Sequence, residues 1–241
     1  MKKILAFTLA ETLIVMGVIG IVSALTLPNL NSSTGEKEKV AKVKKIYQNL
    51  DDAYNRAVGV YGPVDEWFVN DNSYSAQTTR FAGRIQEFLK VSKDCGKQKT
   101  GCFADKYTEL RDDTEIGMGQ NNGDDNFVIL ADGTALKMQA GISNPSTVNL
   151  SASFWIDIDG RKGSNKLGKD LFLFEVSKDK GVRPDDMLGY DYDDENEGCF
   201  PRGYCTKWVV NFDNMDYLKA DKTGKCPNGK VLDGTTNTTC K

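Results

Sequence analysis

MKKILAFTLAETLIVMGVIGIVSALTLPNL, residues 1–30, decides how the rest of the chain is read. Lys2 and Lys3 precede an apolar stretch, and Glu11 is the only charged residue from Phe7 to Leu27. As a helix, residues 7–27 would be roughly 31 Å long at about 1.5 Å per residue, matching a bilayer hydrocarbon core of roughly 30 Å. A carboxylate in that setting is unfavourable by about 2.5–3.5 kcal/mol near the helix centre and by less near its end. Its presence asks for a function and a charged partner.

Three fates fit the length and hydrophobicity. A secretory signal would use Lys2 and Lys3 as its basic region, Leu13–Val22 as its apolar region and Val22-Ser23-Ala24 as its cleavage site. A plain N-terminal anchor would use the length alone. Neither gives Glu11 a role. The third fate does. Ala6, then Phe7-Thr8-Leu9-Ala10-Glu11, then TLIVMGVIGIVSALTLP resembles the N-terminus of the type IV pilin and type II secretion pseudopilin superfamily. In that family a short basic leader ends at a leader-peptidase site, and Phe-Thr-Leu-x-Glu opens a long apolar helix. Gly20 and Pro28 fall where the family helix carries its glycine and proline. Ala6 stands where the family usually has Gly. The alternative is a soluble secreted or periplasmic binding protein behind an ordinary signal peptide.

The resemblance implies an α+β fold, with a long N-terminal membrane-anchored helix packed on an antiparallel β-sheet head domain. It implies a leader over residues 1–6, cut between Ala6 and Phe7 by a prepilin peptidase, and N-methylation of Phe7. Residues 7–61 become the long helix, with 7–27 as transmembrane segment and filament core and 28–61 as stem. Residues 62–241 become the head. The stretch from Gly20 to Pro28 is implied as a helix break that can unwind locally. The implied partners are further copies, other pilin-like subunits, an assembly ATPase with its inner-membrane platform, and the membrane itself. The implied location is the inner membrane, single-pass with the head in the periplasm, and then a periplasmic or cell-surface filament.

Composition narrows the rest. The chain has 241 residues, a net charge of −3 and no histidine. No basic field for nucleic acid results. The missing histidine removes Ser-His-Asp and Cys-His catalysis and His metal ligands, which argues against an enzyme. The six cysteines fall into local pairs, Cys95/Cys102, Cys199/Cys205 and Cys226/Cys240. Each pair brackets a Gly-, Lys- or Pro-containing loop, so local disulfides are expected among the fifteen connectivities. Each short bridge would add about 2–3 kcal/mol, and free thiols are the alternative. An even count behind a membrane-targeting segment points to an oxidising compartment.

Along the chain, Pro28 and the Asn- and Ser-rich residues after it predict an interruption, with Ser33 and Glu36 at capping-box spacing. Val40, Val43, Tyr47, Leu50, Tyr54, Ala57 or Val58, and Tyr61 then form one apolar helical stripe, expected to pack on the head. Lys37, Lys39, Lys42, Lys44 and Lys45 read as a solvated face mixed with Glu36 and Glu38, with lipid head groups as the alternative. Trp67-Phe68-Val69 predicts a short strand or anchor, and Arg80 to Val91 a short amphipathic helix. Asp112 to Asn126 predicts a long loop. Phe127–Ala131, Asp132-Gly133 and Thr134–Met138 predict a hairpin. Ser153–Ile158 places Phe154, Ile156 and Ile158 on one face, and Asp170–Val176 returns. The sum is a meander of about four strands. Lys207–Phe212 predicts one more strand.

Asp157-Ile-Asp159-Gly160-Arg-Lys-Gly163-Ser-Asn165-Lys-Leu-Gly168-Lys-Asp170 is the strongest motif of the head. Oxygen-bearing residues around glycines suggest a cation loop. The spacing is not that of an EF-hand, and Arg161, Lys162, Lys166 and Lys169 oppose a cation. The phrase resembles a loop of pseudopilin heads, where some members hold calcium. A turn held by Asn and Asp side chains is the preferred reading, and no cofactor is expected. Asp191, Asp193, Asp194, Glu195 and Glu197 form a second acidic run, read as a solvated loop.

Overall fold

A computed structural model of the chain describes residues 9–68, 73–118, 124–142, 150–178, 180–184 and 199–241, with the side chains of residues 22–34, 142, 150, 151 and 177 outside that set. The chain divides into two compact units, Met1–Lys39 and Val40–Lys241. Helix α1 is assigned over Leu9–Tyr61. The predicted interruption after Pro28 and restart at Ser33 do not occur, and the backbone is helical through both, as it is through Gly20. Pro28 removes one intrahelical hydrogen bond, a local loss of about 3 kcal/mol. Among the described residues no helix is long and apolar enough to cross a membrane. The described side chains of the apolar run end at Ile21, so the predicted span over 7–27 lies partly outside the described residues.

The second unit is built on a six-stranded antiparallel sheet in which each strand neighbours the next in sequence, from β1 to β6. The strands are β1 (Val91–Gly96), β2 (Asn126–Leu130), β3 (Ala135–Ile142), β4 (Leu150–Asp157), β5 (Leu171–Ser177) and β6 (Gly181–Pro184). Two helices precede or follow it, α2 (Tyr74–Gln86) and α3 (Thr206–Phe212). The class is therefore α+β with an antiparallel sheet.

Alternation along the strands sends two sets of side chains to two faces. Leu136, Met138, Phe154, Ile156, Phe172 and Phe174 share one core with Val40, Val43, Ile46, Leu50, Ala53, Tyr54 and Ala57 of α1 and with Phe81 and Ile85 of α2. Tyr47 stacks on Phe174 with ring centroids 5.4 Å apart, and Phe81 meets Phe154 at 5.4 Å. The stem stripe is thus where the spacing predicts it. Its centre is sharper than expected: Ile46 and Ala53 are fully buried, whereas Tyr47, Val58 and Tyr61 pack at the margin. Phe127, Ala135, Trp155, Leu171 and Leu173 point to the opposite face and cluster with Phe103, Tyr107, Met118 and Leu167. The sheet is covered on both sides.

The predicted hairpin forms with the pairing Ile129↔Ala135. Leu130 accepts from the Gly133 amide at 3.0 Å and donates to Thr134 at 2.8 Å. Gly133 takes φ 86°, which the tight turn requires. The meander gains two strands over the four expected. One is β1, which begins at Val91, where the predicted helix ends, and runs into the Cys95–Cys102 loop; bulges shift its register between Val91 and Lys93 and between Asp94 and Gly96. The other is β6.

Three local assignments are corrected. Val64–Phe68 is a 3-10 turn, so of the two readings of Trp67-Phe68-Val69 the strand fails over the described residues, whereas the burial of Trp67 and Phe68 agrees with an anchor; Val69 lies outside the described residues. Helix α2 starts earlier than Arg80, at a Ser73 cap whose hydroxyl accepts from the Ala76 amide. It stops at Gln86 because Val91 pairs with Leu130 in the sheet. Lys207–Phe212 is helical. Burial of Trp208 and Val209, and the edge-on contact of the Trp208 and Phe212 rings at 4.9 Å, need helical spacing and override strand propensity.

All three local disulfides form: Cys95–Cys102, Cys199–Cys205 and Cys226–Cys240. The free-thiol alternative is excluded.

Candidate functional site

The N-terminal candidates separate into described and undescribed residues. Ala6 and Phe7, the expected cleavage pair, lie outside the described residues. Glu11 sits in the first turn of α1. Around it Leu9, Leu13, Ile14, Val15, Met16, Val18, Ile19 and Ile21 are each more than half exposed. At about 100° per residue these positions cover the full circumference of the helix. A helix that is apolar all round needs an apolar environment on every side. Gly20 lies in this stretch with no atom within 4 Å of where a Cβ would stand. Among the five lysines beyond it, Lys44 forms an ion pair with Asp213 at 2.5 Å, so that part of the basic run is a salt-bridged face of the head.

The motif from Asp157 to Asp170 connects β4 to β5 and is held by its two end carboxylates. Asp170, buried just before β5, accepts from the Ser164 amide at 3.1 Å and the Ser164 hydroxyl at 2.5 Å. Asp157, fully buried at the end of β4, accepts from the Asp159 amide at 3.2 Å and from the Tyr107 hydroxyl at 2.5 Å. Burial pushes the Asp157 carboxyl up to about 8; the Tyr107 bond opposes this, and Asp159 beside it adds to it. The same burial and the Asp157 charge raise the Tyr107 hydroxyl.

Glycines let the backbone double back here. Gly168 takes φ 73°, and a Cβ on it would stand 2.6 Å from the Gly203 carbonyl oxygen. Gly203 takes φ 105°, and its Cβ would stand 2.4 Å from the Leu167 carbonyl oxygen. Tyr217 closes the same corner by donating to the Gly168 carbonyl at 2.6 Å. Two loops distant in sequence thus touch backbone to backbone.

A cleft of about 750 Å³ lies against this loop, lined by Lys42, Ile129, Asp132, Gly133, Asp159, Gly160, Arg161 and Lys162 among others. Among the described residues no group of three or more Asp, Glu, Cys or His side chains is placed to hold a metal ion. Lys166, one of the four opposing cations, pairs with Asp113 at 3.6 Å. Both end carboxylates already accept from amides and hydroxyls of the protein. The acidic run Asp191, Asp193, Asp194, Glu195 and Glu197 lies outside the described residues.

Sequence reasoning missed Tyr107, whose bond to Asp157 spans 50 positions. It also missed the buried pair Lys137 and Asp125. A lysine after an Asp-Gly turn reads as solvent-facing, and nothing local marks it otherwise. No family model, curated protein or solved structure matches the chain.

Proposed function

We propose that the chain is a structural subunit of a type IV pilus-like or type II secretion pseudopilus filament. One observation carries the reading. The sequence Ala6-Phe7-Thr8-Leu9-Ala10-Glu11 leads into a helix, described from Leu9 onward, whose described apolar side chains are exposed on all sides around a single carboxylate. In this reading the leader of residues 1–6 is removed by a prepilin peptidase and Phe7 is N-methylated. The segment 7–27 holds the subunit in the inner membrane with the head in the periplasm. A separate motor ATPase and its inner-membrane platform then draw it into a filament with copies of itself and with other pilin-like subunits. The role is structural rather than catalytic, without a resident cofactor and without nucleic acid as a partner.

Cleavage gives Phe7 a new α-amino group. That cation and Glu11 are then the two charges near one end of an apolar helix. In a bundle of such helices, Glu11 of one subunit meets the Phe7 amine of the next. Pairing in low dielectric offsets the burial of both charges and fixes the axial stagger. The section from Gly20 to Pro28 supplies local give when helices bend into the bundle.

N-terminal sequencing of the mature protein tests the reading first. A chain beginning at Phe7 supports it, and one beginning at Leu25 supports a secreted binding protein behind an ordinary signal. The second test is Glu11→Ala, which is expected to insert in the membrane normally and to abolish assembly. Normal filament formation by that variant would overturn the role given to Glu11.

A further inference from the structure

Asp125 and Lys137 form a buried pair. Lys137 stands opposite Phe127 in a row that continues through Trp155 and Leu173. Those three neighbours belong to the apolar cluster on that face of the sheet. Asp125 immediately precedes β2. The side chains of Lys137 and Asp125 are 5% and 4% exposed, and Nζ lies 3.2 Å from Oδ1. The Trp155 ring centroid is 5.8 Å from Nζ. The amine nitrogen is at contact distance from the carboxyl group.

Two full charges are poorly served in such a place. Desolvation raises the Asp125 carboxyl and lowers the Lys137 amine, in each case against the attraction of the partner. Moving one proton from nitrogen to oxygen converts the ion pair into a neutral amine facing a neutral carboxylic acid, with no change in proton count. The neutral amine is a nucleophile and the protonated carboxyl carbon an electrophile. Fixed proximity raises their effective concentration, and the apolar surround keeps out the water that would drive hydrolysis.

We propose that Lys137 and Asp125 condense into an intramolecular isopeptide bond that ties β3 to the start of β2. Lys137 Nζ attacks Asp125 Cγ, the Cγ–OH bond breaks, and the hydroxyl leaves with one amine proton as water. The second amine proton stays on the amide nitrogen. No oxidant, reductant or co-reactant enters. The bond locks neighbouring strands covalently, independently of the disulfides and of the filament reading.

The test is the intact mass of the full chain, purified with its disulfides and denatured before measurement. The expected mass is that of the chain with three disulfides less one water. After reduction, alkylation and proteolysis, a branched peptide should join Asp125 to Lys137. K137R and D125A should show neither the water loss nor the branch. A succinimide at Asp132-Gly133 would also lose one water, so a water loss without the branched peptide overturns the proposal. So does an intact mass that stays at the disulfide-only value after prolonged incubation at neutral pH.

Discussion

The Tyr107 hydroxyl donates a 2.5 Å hydrogen bond to Asp157 Oδ2, and Tyr107 is 1% exposed and Asp157 fully buried. The bond joins the loop after Cys102 to the end of β4. It places an acid of unusual affinity for its proton at the root of the most distinctive loop of the head.

The pH dependence follows from the sign of that affinity. Asp157 is raised to about 8 in the fold, against about 3.9 in an unfolded chain. The fold prefers the protonated form, so this group's contribution is complete below about pH 4 and is lost as pH rises toward 8. The wild-type chain should therefore lose on the order of 1 kcal/mol or more between pH 5 and 8 relative to Asp157→Asn. Urea unfolding of both proteins across that range checks it, and parallel stability curves would contradict it.

The glycines separate strain from collision. Gly133 takes φ 86° in open space, whereas Gly203 takes φ 105° with a carbonyl oxygen where a Cβ would stand. Gly133→Ala should lose only the left-handed penalty, about 1–2 kcal/mol. Gly203→Ala adds overlap with backbone that cannot swing aside, and should lose clearly more, about 3 kcal/mol or beyond. Equal losses in denaturant titrations would mean that the Leu167–Gly168 and Gly203 backbones are not pressed together.

Calcium is expected to leave the head unchanged. Asp157 and Asp170 already accept from Tyr107, the Asp159 amide and Ser164. A bound ion would stabilise the folded state by mass action. Melting temperatures in millimolar calcium and in chelator should coincide, and a calcium-dependent rise would assign the 157–170 loop to a cation after all.

Much of this architecture is written in short-range patterns. The stem stripe, the Asp-Gly hairpin, the Phe154/Ile156/Ile158 face and the three cysteine pairs are all set within a few residues of themselves. What escaped reading depends on distant chain. Lys207–Phe212 has strand composition and becomes a helix because Trp208 and Val209 fill core space. β1 hides in polar sequence because it is an edge strand, with its interior residues Ser92, Lys93 and Asp94 exposed. Tyr107 and Lys137 carry no local sign of burial, since their partners arrive from other elements.

The strand order has a consequence for how the head is made. Every ladder in the sheet joins one strand to the next along the chain, and the disulfides join cysteines only 7, 6 and 14 positions apart. Each newly emerged strand meets its partner on the strand just before it, so the sheet can grow in the direction of synthesis. Oxidation needs no cysteine to wait for a remote one. The sheet can therefore assemble progressively from an extended chain, with few long-range closures to slow it.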